Sequence, residues 1–124
     1  QMKTINEVIE KLKQANPEND VFFSPLRLVP TTVDSWRGIY AEPALGWEAA
    51  GYSGNGKAPT VATLLAELEK SIDGREYQGW KGGEYTYRGN SPLHIDNPGE
   101  STNTEIQDVI VGSYDVTIVI ATEE

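Results

Sequence analysis

One segment constrains the fold more than any other, an amphipathic helix predicted to begin at Thr60 and to end at Gly74. Five apolar residues recur at helical spacing and form one continuous face: Val61, Leu64, Leu65, Leu68 and Ile72. Thr60 follows Pro59 and has a good N-cap side chain, and glycine is a common helix terminator. Because a helix of this kind buries only one face, we expect it to cover a separate layer of structure.

A second helix is predicted over residues 4–15, where Thr4 and Glu7 have capping-box spacing. Runs of β-branched and aromatic residues predict strands at 21–23, at 76–87 with an interruption at Gly82-Gly83, at 93–95, and in a hairpin of 106–111 and 116–121. We expect the N-terminal helix to pack on the strand at 21–23. Residues 27–40 contain two prolines and predict irregular or edge-strand structure.

Residues 41–59 show no sustained period, and the glycine-rich run at 51–56 is typical of an exposed hairpin tip or a mobile loop. We expect disorder or ligand-linked ordering there. Strands on both sides of one crossing helix indicate an α+β fold, with an antiparallel or mixed β-sheet covered by two α-helices. The 124 residues suit a single domain over 1–124, since a chain of this size buries roughly two-thirds of its unfolded surface.

The net charge of −9 disfavours binding to long nucleic acid or to an anionic membrane, although a small anion responds only to charges within about 10 Å. No apolar run approaches the roughly 20 residues that cross a bilayer, and the N-terminus lacks a signal pattern, so we expect a cytoplasmic protein. The absence of cysteine excludes a disulfide framework, a thiolate metal site and a cysteine nucleophile.

Residues for covalent or metal chemistry are sparse. His94 is the only histidine, and we expect a structural or surface role for it; no serine lies in a Gly-x-Ser-x-Gly elbow. Carboxylates are abundant at 19, but they lack the spacing of a metal-binding loop. We therefore predict a binding protein with no catalytic residues, no metal and no cofactor. A metal-dependent hydrolase that uses clustered carboxylates is the less favoured alternative.

Two strings combine aromatic faces, cations and glycines: one at 36–40 and one at 79–90. Glycines let backbone amides approach a ligand, and aromatic rings stack on bases. The candidate ligand-binding residues are Trp36, Arg37, Tyr40, Trp80, Lys81, Arg88 and Asn90. The alternative for each aromatic residue is a structural role, with Trp36 and Trp80 as core anchors and the glycines in bulges or turns.

Three stretches resemble a class of small phage-encoded proteins with the same order of elements, and the similarity spans nearly the whole chain. They are Asp34-Ser35-Trp36-Arg37-Gly38-Ile39-Tyr40, Thr60-Val61-Ala62-Thr63-Leu64-Leu65 and Gly79-Trp80-Lys81-Gly82-Gly83-Glu84-Tyr85. Size, acidic character and layout are also similar to those of the Thoeris anti-defence sponges, which bind and sequester cyclic ADP-ribose signals.

This resemblance implies a homo-oligomer without enzymatic activity in the host cytoplasm. It would hold an isomer of glycocyclic ADP-ribose made by a bacterial TIR-domain enzyme and so prevent activation of the downstream effector. It also implies that Trp80 stacks on adenine, that Asn90 bonds a base or ribose, and that Arg37, Lys81 and Arg88 meet the pyrophosphate. The alternative is an acidic protein-interaction module or inhibitor of a host protein, which the net charge favours.

Overall fold

The computed structural model describes residues 3–24, 28–36, 39–49, 57–73, 77–78, 84–85, 87–95 and 106–120. For 34–36, 39–42, 49, 77–78 and 84–85 the description is of the backbone alone. The helices in these ranges are α1 (Ile5–Leu12) and α2 (Val61–Ile72). The strands are β1 (Asp20–Ser24), β2 (Leu28–Trp36), β3 (Ile39–Ala49), β4 (Tyr77–Gln78), β5 (Glu84–Tyr85), β6 (His94–Ile95), β7 (Ile106–Val111) and β8 (Asp115–Ile120).

Helix α1 begins with the predicted capping box. The Thr4 backbone N–H donates to Glu7 Oε1 at 2.8 Å, and the Glu7 backbone N–H donates to Thr4 Oγ1 at 3.2 Å. The helix buries one face through four apolar residues: Ile5, Val8, Ile9 and Leu12. The helix at 4–15 is thus confirmed, although its last turn ends earlier, at Leu12.

Helix α2 confirms the strongest sequence pattern in the chain. Thr60 is its N-cap and accepts from the Thr63 backbone N–H at 3.2 Å. Its buried face comprises Val61, Leu64, Leu68 and Ser71, and the Ser71 hydroxyl donates to the Leu68 carbonyl at 2.6 Å. Ser71 is therefore buried at little cost, because its hydroxyl has a backbone acceptor within the helix. The C-cap is Asp73.

One sheet has the strand order β1-β8-β7. Strand β8 pairs with β7 in an antiparallel hairpin and with β1 in parallel, so the sheet is mixed. The predicted hairpin is confirmed: Val111 pairs with Val116, and the Gly112 backbone N–H donates to the Asp115 carbonyl at 2.9 Å. The predicted strand at 21–23 is confirmed as β1.

A second sheet has the order β2-β3-β6. Residues 28–36 form its edge strand, with shifts of register after Pro30 and Ser35, so the predicted irregular or edge-strand structure is confirmed there. Residues 41–49, expected to lack regular structure, belong to the eleven-residue strand β3. Pro43, Gly46 and the alanines of β3 have poor β-propensity, so pairing with β2 and β6 overrides the local preference. The expected loop at 51–56 lies outside the described residues.

Strands β4 and β5 form a two-stranded antiparallel pair, as the interrupted strand at 76–87 predicted. Together the two mixed three-stranded sheets and the two helices confirm the α+β fold class. In the part of the chain that the structure describes, no helix is both long and apolar enough to cross a membrane.

A hydrophobic core joins both helices to both three-stranded sheets. Helix α2 packs on β1 and β2, and helix α1 packs on α2 and β7. The expected packing of α1 against β1 stays a prediction, although residues of both elements belong to the same core cluster. The parallel pairing places β8 beside β1, and the hairpin then extends the sheet to β7, on which α1 packs.

Candidate functional site

The structure describes four of the seven predicted ligand-binding residues, to different depths. Arg88 and Asn90 are exposed. Trp36 and Tyr40 are described by their backbones in β2 and β3. The other three, Arg37, Trp80 and Lys81, lie outside the described residues, so the expectation that the indole rings line a hollow stays a prediction.

The first aromatic string folds back on itself between two strands. Trp36 is the last residue of β2 and pairs with Ile39, the first residue of β3. The connection between them therefore consists of residues 37–38 alone. Tyr40 is the second residue of β3, so the string from Trp36 to Tyr40 includes the end of β2 and the start of β3.

The second string includes the connection between strands β4 and β5. Tyr77 pairs with Tyr85, and Gln78 pairs with Glu84. Residues 79–83, which carry Trp80 and Lys81, are consequently the segment that joins β4 to β5. Connections of this kind can extend side chains beyond the sheet surface, and binding residues are concentrated in them for that reason.

Arg88 and Asn90 stand on a turn that the start of α1 fixes. The Ser91 backbone N–H donates to the Arg88 carbonyl at 2.9 Å, which closes the turn. The backbone N–H groups of Ile5 and Asn6 donate to the carbonyls of Ser91 and Gly89 at 3.0 and 2.8 Å. These three hydrogen bonds restrain the backbone of the turn. The Arg88 guanidinium and the Asn90 amide are exposed to solvent on it.

Gly89 lies close to the side chain of Asn6 in this turn. A Cβ atom at position 89 would collide with the side-chain amide of Asn6 unless that exposed side chain turned away. From the sequence, glycine at this position indicated a turn or a close approach of a ligand to the backbone. Its neighbour lies on a helix far away in the chain, so no local pattern could have revealed the contact.

Parallel pairing of β3 with β6 directs the 36–40 hairpin and the 88–91 turn toward the same end of a sheet. Ala44 pairs with His94, and Leu45 pairs with Ile95. The 36–40 hairpin precedes Ala44 on one strand, and the 88–91 turn precedes His94 on the other. Parallel strands run in the same direction, so the 36–40 hairpin and the 88–91 turn both lie on the N-terminal side of the paired residues. We call this end of the strand pair the hairpin end. Neighbouring strands lie only about 4.8 Å apart.

The N-termini of both helices are occupied by the protein itself. In α1 the first amides donate to Ser91, Gly89 and the Thr4 side chain. In α2 the backbone N–H groups of Val61 and Ala62 donate to the carbonyls of Asn19 and Pro17 at 2.8 and 3.0 Å, and the next amide donates to the Thr60 side chain. Helix N-termini often bind phosphate through such amides, but here those donors already have acceptors. Anion binding at the hairpin end therefore cannot use these helix amides.

A groove of about 560 Å³ runs between exposed residues of α1 and α2. It lies near the 88–91 turn, because Asn6 lines the groove and also approaches Gly89. Its lining residues are Asn6, Ile9, Glu10, Lys13, Glu69, Ile72 and Asp73. Three carboxylates face one ammonium group, and Lys13 Nζ lies 3.9 Å from Glu69 Oε2 with both side chains half exposed. An exposed pair at this distance contributes little, and the groove keeps a negative potential that repels phosphate.

His94, the chain's one histidine, is 7% exposed in β6. Its burial agrees with the structural role expected for it. Within the described ranges, no three His, Asp or Glu side chains lie close enough together to hold a metal ion. Among the loop and strand carboxylates, Glu48 is exposed on β3, and Asp96 lies outside the described residues.

Comparison with protein-family models, with curated proteins and with solved structures gives no match to this chain. The resemblance to phage-encoded proteins stays a prediction, and the argument for function depends on the geometry of the hairpin end.

Proposed function

We propose that this chain is a non-enzymatic binding protein that sequesters a cyclic nucleotide signal of the cyclic ADP-ribose type, as a phage anti-defence protein does. The observation that carries the proposal is the parallel pairing of β3 with β6, because it directs the 36–40 hairpin and the 88–91 turn to one end of the sheet. Each segment brings an aromatic residue or a cation of the kind that nucleotides bind.

The proposed division of labour follows from residue chemistry. Trp80 stacks on the adenine ring, and the amide of Asn90 bonds a base or ribose group. The pyrophosphate is met by Arg37, Lys81 and Arg88, since charge-assisted bonds from a guanidinium group to phosphate are short and strong. Arg88 supports this role in one respect: its side chain is exposed while its backbone is fixed by α1.

The energetics favour a site completed by a second copy of the chain. Two stacked rings at about 1–3 kcal/mol each and two phosphate contacts at about 1.5–3 kcal/mol each give about 5–12 kcal/mol gross. Association costs at least about 4 kcal/mol, whereas nanomolar affinity requires about 12 kcal/mol net. One open patch thus gives weak binding, and a homo-oligomer that encloses the ligand is part of the proposal.

Isothermal titration calorimetry with cyclic ADP-ribose isomers tests the proposal directly. Arg88→Ala and Asn90→Ala alter exposed side chains, so both variants should fold normally and bind more weakly. Lys70→Ala is the matched control, because it removes an exposed cation from α2 without touching either string. If no isomer gives heat or a thermal shift, or if Lys70→Ala weakens binding as much as Arg88→Ala does, the proposal is wrong.

Mass spectrometry of the ligand released by denaturation separates sequestration from catalysis. Intact ligand after prolonged incubation supports a sponge, and a cleaved ligand identifies a hydrolase. Trp80→Ala adds a second discrimination, because loss of a stacking ring removes binding without unfolding the chain, whereas loss of a core tryptophan lowers stability by about 3–5 kcal/mol.

A further inference from the structure

The sheet β1-β8-β7 has two faces of different character. Its inner face joins the core through residues such as Val21, Val109 and Ile118. The opposite face, which we call the outer face, carries Asp20, Phe22 and Ser24 from β1, Asp115, Thr117 and Val119 from β8, and Asp108 and Ile110 from β7. All eight are exposed or partly buried. Both helices pack on the core side of this sheet.

The register arranges an apolar row across the outer face. Phe22 pairs with Thr117, and Thr117 pairs with Ile110 on the other side. Ile110 is 53% exposed, and Tyr114 at the tip of the hairpin is 88% exposed. These are the large hydrophobic side chains that stand out to solvent within the described residues. An apolar centre of this kind is typical of the middle of a protein interface.

Carboxylates surround this row. Asp20 and Asp115 are direct partners in the parallel register, so two exposed side chains of like charge lie next to each other on the same face. Asp108 pairs with Val119 on the far side of the row. The three strands contain no lysine or arginine. Like charges on paired positions destabilise a sheet, and a cationic partner group would relieve that repulsion.

We propose that the outer face is a docking surface for a protein segment with an apolar centre and a basic rim. The charge of the face decides between occupants. A second copy of this chain docked through the same face would bring aspartates against aspartates, and the three strands carry no lysine or arginine to meet them. A partner whose lysines or arginines meet Asp20, Asp108 and Asp115 is attracted by the same field.

Two synthetic peptides can test the chemistry of this surface by nuclear magnetic resonance titration of the labelled protein. One alternates valine with lysine and the other alternates valine with glutamate, so that each extended peptide has an apolar and a charged face. The lysine peptide should shift the amide signals of β1, β8 and β7, and its binding should weaken with salt. The glutamate peptide should shift none of them.

Charge reversal at one rim position provides the matched variants. Asp20→Lys should weaken the lysine peptide about tenfold, whereas Glu10→Lys, the same change of charge on α1, should weaken it about twofold or less. Asp20→Lys should not lower the stability of the fold, because it replaces a like-charge pairing with Asp115 by an opposite one. Lost affinity in that variant therefore cannot be ascribed to unfolding.

Several results would overturn the proposal. They are equal binding of both peptides, equal weakening by the two variants, and signal shifts that map to another surface. Sedimentation of the free protein gives a further check: a dimer that Ile110→Ser dissociates would mean that a second copy occupies the outer face. The proposal is supported if only the lysine peptide binds, if its signal shifts map to these three strands, and if Asp20→Lys weakens its binding more than Glu10→Lys does.

Discussion

Replacing Gly89 with alanine should destabilise the protein through a collision with one side chain. The added Cβ would meet the amide group of Asn6, so either the 88–91 turn moves or the Asn6 side chain rotates. If the turn moves, the bonds from Ile5 and Asn6 to the Ser91 and Gly89 carbonyls lengthen. Each is worth about 0.5–1.5 kcal/mol, so full loss of both would cost about 1–3 kcal/mol. Because the exposed Asn6 side chain can turn partly away, we expect a loss of about 1 kcal/mol.

Asn6→Ala removes the obstacle and provides the control for this collision. Alone it should change stability by less than about 0.5 kcal/mol, because Asn6 is exposed on α1. In the double variant, alanine at 89 meets no amide, and the stability should return close to that of the parent. The two substitutions should therefore show a coupling energy of about 1 kcal/mol in a double-mutant cycle, equal to the loss that Gly89→Ala causes alone.

Urea unfolding followed by circular dichroism measures all four proteins under one condition. The reasoning is refuted if Gly89→Ala is as stable as the parent, or if Asn6→Ala fails to restore the double variant. The second result would mean that the loss does not arise from the close approach to Asn6. Under the proposed function, cyclic nucleotide affinity should fall and recover with stability in the same series.

Two further predictions concern carboxylates. The hydrogen bond from the Thr4 backbone N–H, with smaller contributions from the Thr4 hydroxyl and from Lys3, holds the pKa of Glu7 below its ordinary value of 4.5 despite some desolvation. This stabilisation is complete above the unfolded pKa and is lost as pH falls through the lower folded pKa, so Glu7→Gln should flatten the acid limb of stability measured from about pH 7 to about pH 3. Glu67 Oε2 accepts from the Val33 backbone N–H at 2.8 Å where the register of β2 shifts. Glu67→Leu should cost about 1–3 kcal/mol in urea unfolding and Glu67→Gln less, because glutamine keeps an acceptor; equal losses would contradict this role.

The sequence predicted the elements whose signals are local. The capping box of α1, the apolar stripe of α2 and the β-branched hairpin of β7 and β8 each lie within about a dozen residues, and each is found in the structure. Strand β3 was missed because its proline, glycine and alanine residues have little β-propensity of their own. Residues 39–49 form a strand because they pair with β2 on one side and with β6 on the other. A local stretch of sequence does not reveal that β6 will be a partner.

The candidate site was chosen by residue type and stays a prediction, and the sequence could not predict how its described residues are arranged. Arg88 and Asn90 are exposed as expected, because charged and amide side chains in a glycine-containing turn usually face solvent. The approach of Gly89 to Asn6 and the parallel pairing of Ala44 with His94 join distant parts of the chain. Contacts at such separation arise from the topology of the sheets, so a single sequence does not encode them in any readable spacing.

Occupied helix N-termini limit how this protein can bind an anion. Many nucleotide-binding folds offer free backbone amides at a helix start, which need no positive side chain. Here Gly89 and Ser91 accept from α1, and Pro17 and Asn19 accept from α2. A phosphate group at the hairpin end would depend on guanidinium and ammonium groups, in a chain whose net charge is −9. Nucleotide affinity should therefore fall steeply with added salt and with the loss of Arg88, and a salt-independent affinity would argue that the ligand is held by its base alone.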